Sequence, residues 1–81
     1  MNHAIDILRL ERNALRKKWQ NHRLNMRYSL WCADAYYVDW PETRRSVLDS
    51  AAKRRALMKE CAAARLSVIQ AICRLNAPLA P

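Results

Sequence analysis

Residues 36–45 read YYVDWPETRR and hold the only proline before residue 78 in a chain without a single glycine. This decapeptide decides the fold, because the sequence on both sides of it favours helix. Asp39 and Glu42 stand three apart, the spacing at which an N-cap oxygen accepts a first-turn N–H and the glutamate reaches back. Pro41 suits a first helical turn, where its missing N–H has no partner to lose. It also drives Trp40 out of α geometry and so ends the helix before it. The stretch reads as the corner between two helices, with either Asp39 or Trp40 as the N-cap. Tyr36, Tyr37, Val38 and Trp40 are expected to plug the closed end. The alternative is that Tyr36 or Trp40 protrudes as an anchor for a partner.

Working outward, Ala4 to Val38 contains neither proline nor glycine. Ala4, Leu8, Leu15, Trp19, His22, Met26, Leu30, Ala33 and Tyr37 fall within roughly an 80° arc at 100° per residue. From Pro41 to Leu75 a second helical pattern carries a stripe of Val47, Ala51, Met58, Ala62, Ile69 and Ile72, flanked by Leu48, Leu66 and Cys73. Asn76 suits the residue just past a helix and Pro78 cannot continue one. The expected fold is all-α and a single domain over 1–81. Helix spans about 3–38, a turn 39–40, a second helix about 41–76, and a frayed tail 77–81. A break at residues 20–25, giving three or four helices, is the competing arrangement. Folding at 39–40 would set residue i opposite roughly residue 79−i. That places Asp34 near Arg44 and Arg45, Asp6 near Arg74, and Glu60 near Lys17 and Lys18.

Composition points the same way. Average glycine usage is about 7%, and hairpins and tight loops depend on its positive φ; this chain has none among 81 residues. Cys32, Cys61 and Cys73 are odd in number and lack metal-binding spacing, which argues against a disulfide framework or structural zinc and for a reducing, cytoplasmic setting. Early charge in MNHAIDILRLER is unlike a secretory signal. The apolar run LSVIQAIC is too short to span a bilayer.

Two surfaces remain once a hairpin forms. Leu57, Cys61, Ala64, Val68, Ala71 and Leu75 alternate in steps of four and three, the pattern of a coiled-coil interface. Helix one carries a second apolar set of Leu10, Ala14, Leu24, Tyr28, Trp31, Cys32 and Ala35. One partner helix cannot cover both, so a homodimeric four-helix bundle or a permanent protein partner is expected. A monomeric three-helix bundle is the alternative.

The net charge of +8 invites an acidic partner. Arg9, Arg12, Arg16, Arg23 and Arg27 share one face, and the hairpin would add Lys53, Arg54 and Arg55 to it. These form the candidate partner-binding face, unless the arginine stems merely shield the apolar seam. Tyr28, Trp31, Tyr36 and Trp40 are the candidate aromatic anchors. No carboxylate pair, nucleophile–base set or metal-ligand spacing is visible. No catalysis, cofactor or metal is expected, His22 reads as a core residue, and Cys61 and Cys73 read as small buried ones. The expectation is a small basic interaction protein, an inhibitor or adaptor of a protein or nucleoprotein complex, in the style of phage and mobile-element proteins. Direct, sequence-nonspecific nucleic-acid binding is the rival.

Overall fold

The computed structural model describes residues 3–77. They form two long antiparallel helices, α1 (His3–Ala35) and α2 (Pro41–Asn76), packed against each other as a hairpin. α1 runs unbroken through residues 20–25. Asn21 and Asn25 each cost only a fraction of a kcal/mol, about 0.7 or less, against a flank of good helix formers. The expected tail beyond Ala77 lies outside the described residues.

The corner differs in detail from the expectation. α1 stops at Ala35, not near residue 38, and the turn occupies residues 36–40. The N–H groups of Tyr36 and Tyr37 both donate to the Cys32 carbonyl, at 2.9 and 3.2 Å. Trp40 N–H donates to Tyr37 O at 3.1 Å, and Arg44 N–H to Trp40 O at 2.8 Å opens α2. Trp40 is the N-cap, with φ −125° and ψ 78°, Pro41 follows it, and no side chain caps the helix. The Asp39–Glu42 capping box is therefore not formed. With Trp40 as N-cap the box would need Trp40 and Thr43, so the acidic pair sits one residue out of register. Glu42 keeps the milder benefit of an acid at a helix N-terminus. No described residue has positive φ, which is how a chain without glycine turns this corner. α2 runs through Asn76 and ends at Ala77 in extended geometry, so Asn76 is the last helical residue and not a left-handed cap.

The seam follows a strict alternation of threes and fours. On α1 the buried and half-buried positions include Ile5, Leu8, Arg12, Leu15, Trp19, His22, Met26, Ser29 and Ala33; on α2 they include Val47, Ala51, Arg54, Met58, Cys61, Arg65, Val68 and Ile72. This is coiled-coil spacing; the expected α2 stripe holds at Val47, Ala51, Met58, Ile69 and Ile72 and is corrected elsewhere. A stripe drawn at 100° per residue drifts about 20° per heptad from a 3.5-residue repeat. Ala62, Leu66 and Cys73 accordingly end up exposed. The row assigned to an oligomer interface is split: Cys61 and Val68 belong to the hairpin's own seam and Ala71 is half-buried, whereas Leu57, Ala64 and Leu75 face outward.

The open end is an apolar cluster of Ile5, Val68 and Ile72, with Leu8 and Leu15 packed on it. Near the closed end the buried residues are small: Cys32, Ala33 and Ala51. Because the turn centres on residue 38, partners lie opposite at roughly 76−i. Arg54 faces His22 in this register, donating from Nη1 to Nδ1 at 3.0 Å. Asp34 meets Arg44 at 3.5 Å, as expected. Asp6 instead pairs along its own helix with Arg9 at 4.0 Å, and Arg74 donates to Gln70 O. Among the described residues Glu60 has no cation within 4.0 Å. A slip of three residues, about 4.5 Å of rise, accounts for both missing pairs.

The molecule is a rod, 67 × 20 × 13 Å, with a radius of gyration of 18.5 Å. A compact chain of this length would measure about 12 Å. It exposes 6695 Å², where a globular monomer of 9.5 kDa would expose about 5,000 Å².

Candidate partner-binding surface

The basic face is redistributed by the fold. Arg12 and Arg54 are half-buried in the seam, and Arg54 is committed to His22. Since a guanidinium can only donate, His22 Nδ1 is the acceptor and the ring proton resides on Nε2. His22 is thus a half-buried, satisfied seam residue. Arg9 is partly engaged by Asp6. Lys53 and Arg55 are exposed on α2. Of the eight expected residues, Arg16, Arg23 and Arg27 stay together on one flank of α1.

That flank is hollowed. Three adjoining depressions share Gln20: one between Leu10, Asn13, Ala14, Arg16 and Lys17, one between Arg16, Trp19, Cys61, Ala62 and Arg65, and one between Arg23, Leu24 and Arg27. Their walls bring together five cations, Arg16, Lys17, Arg23, Arg27 and Arg65, without one carboxylate. Arg23 stands over the Trp19 ring at 5.7 Å from its centroid, a cation–π contact that fixes both side chains. Arg65 went unrecognised in the sequence because an apolar pattern skips an arginine. The 3–4 spacing Met58, Cys61, Arg65, Val68 is the signal that could have found it.

The second feature is aromatic. Trp31 meets Tyr36 edge-on, with centroids 5.1 Å apart, and Tyr28 at 6.2 Å. All three are between 54 and 65% exposed, and Leu24 lies exposed one turn from Tyr28. The expected plug is therefore corrected. Tyr36, Val38 and Trp40 are each more than 60% exposed, and of the four only Tyr37 is half-buried. The seam near the corner is filled by Cys32, Ala33 and Ala51, whose small side chains leave no slot for large rings. The Cys32 thiol, first by hydrogen bonding and then by charge, pushes the Tyr28 phenol above its ordinary value. The aromatic set on α1's outer side matches the second apolar set expected there, except that Cys32 is buried.

Among the described residues no three His, Cys, Asp or Glu side chains converge on a point that could hold a metal. Cys32 is a buried free thiol, Cys61 half-buried and Cys73 exposed, the last against expectation. His3 opens α1 and is exposed. Among the described residues no helix is long and apolar enough to cross a membrane. No protein-family description matches the chain, and neither a curated protein nor a solved structure is significantly similar to it.

Proposed function

We propose that this hairpin is a non-catalytic binding protein, an adaptor or inhibitor that holds an acidic protein or nucleoprotein complex against the outer side of α1. One observation carries the reading. An exposed, mutually packed trio, Tyr28, Trp31 and Tyr36, adjoins a flank of cations without a carboxylate. Tryptophan, tyrosine and arginine dominate binding hot spots, and rigid rings lose little entropy on docking. The free thiols suit a reducing, cytoplasmic setting.

Self-association belongs to the same reading. Two copies would need to cover on the order of 800 Å² each, and the rod exposes well over that in excess of a compact monomer. With Val68 already used within the chain and the aromatic trio engaged by the partner, the outward row Leu57, Ala64 and Leu75 of α2 is the seam that remains. Sedimentation of the wild type and of Leu57→Glu tests this: a dimer converted to monomer supports it, and a monomeric wild type rejects it.

The function is tested by capture from nuclease-treated lysate with the wild type and with Trp31→Ala/Tyr36→Ala. A discrete partner lost in the double variant is expected; recovery of bait alone overturns the reading. The exposed cations Arg16, Arg23 and Arg27 also keep direct nucleic-acid binding as a second reading. Titration of a labelled duplex at two salt concentrations decides it, because phosphate contacts give a steep salt slope.

A further inference from the structure

The cavity between Arg16 and Arg65 has a chemistry of its own. It bridges the helices, with Arg16, Trp19 and Gln20 from α1 and Cys61, Ala62 and Arg65 from α2, and encloses about 330 Å³. Arg65 occupies a seam position. Its Nε is fully buried and has no hydrogen-bond partner, and among the described residues no carboxylate lies within ion-pair distance of its guanidinium. Arg54, three seam positions earlier, is satisfied by His22. An unneutralised, half-buried guanidinium is costly, and a second one beside it raises the local positive potential further.

We infer that this cleft receives a glutamate side chain of an acidic protein segment, its carboxylate between Arg16 and Arg65 and its aliphatic stem against Trp19, Cys61 and Ala62. The inference deepens the adaptor reading and rests on it by naming what the partner presents. Guanidinium forks match a carboxylate. The apolar wall beside the cations favours an acidic side chain over a phosphodiester, which has no stem to lay against it. A phosphate backbone also needs a row of cations, and the fold has withdrawn Arg12 and Arg54 from theirs.

The test titrates fluorescein-labelled decaglutamate into the full chain at low salt, beside decaglutamine and decathymidylate. Decaglutamate should bind and decaglutamine should not. Arg16→Gln and Arg65→Met should each weaken decaglutamate by about tenfold or more, whereas Arg45→Gln, at the corner away from the cleft, should change it less than about twofold. In a Trp31→Phe/Trp40→Phe background, emission from Trp19 should shift on binding. Far-UV circular dichroism checks the fold, and Arg16 is exposed, so its variant remains informative if Arg65→Met misfolds. The inference is overturned if the cleft variants lose no more than Arg45→Gln, if Trp19 emission is unmoved, or if decathymidylate binds more tightly through the same arginines. Intact decaglutamate binding by both cleft variants, with partner capture still lost in Trp31→Ala/Tyr36→Ala, removes the cleft and leaves the adaptor reading standing. Arginine-dependent peptide binding without any captured partner does the reverse.

Discussion

Arg54 and Arg65 both sit at seam positions of the same helix, yet one is settled and the other is not. Arg54 faces His22 and donates to it at 3.0 Å; Arg65 faces a cavity and Arg16. Both interrupt a seam whose open end, Ile5, Val68 and Ile72, is wholly apolar. The difference separates two uses of a polar seam residue. A satisfied one helps fix register, because sliding the helices would unpair it. An unsatisfied one weakens the hairpin, and it is the carboxylate proposed above that would supply Arg65 with the missing contact.

The largest effect should come from making the apolar end resemble the polar middle. Val68→Glu places a charge against Ile5 and should cost roughly 3–5 kcal/mol, enough to abolish the cooperative melt followed by circular dichroism. A retained transition would mean that the open end is not the hairpin's anchor. The two arginines should then part in sign. Arg65→Met relieves an unpaired charge and should raise stability by about 1 kcal/mol, a Tm gain of roughly 4–8 °C. Arg54→Met leaves His22 without its donor and should lower stability by about 1 kcal/mol. Thermal melts moving in the same direction for both would dissolve the contrast between them. Trp31→Ala should change stability by less than about 1 kcal/mol, because that ring packs on other exposed rings; a larger loss in a urea titration would make the trio structural. The smallest effect belongs to Asp34→Asn. Its contact with Arg44 is exposed and should be worth under about 0.5 kcal/mol, read as a shift in the same titration.

Much of the fold is legible in the residues, and the reasons are local. Pro41 ends one helix and starts another through its own ring geometry. The absence of glycine removes hairpin turns. The Asp34–Arg44 contact follows from adjacency to the corner, where any error in register is small. Away from the corner that error accumulates, so Asp6 and Glu60 were placed against the wrong neighbours. Aromatic residues at the corner misled for a different reason. A large ring reads as core, but the buried positions beside the corner are held by Cys32, Ala33 and Ala51, and the rings at 36 and 40 stay exposed.

The sequence alone determined two long helices, the corner at Trp40–Pro41 and a surplus of apolar and cationic surface, because propensity, proline stereochemistry and composition act over a few residues. Only the tertiary structure decided which arginines turn inward and which rings stay in water. Those outcomes depend on whether the stripe repeats every 3.5 or 3.6 residues, and on a register set by both helices together. A small phase difference, invisible in one turn and decisive over nine, moved Val68 and Arg65 into the seam and left Ala62 and Leu66 outside it.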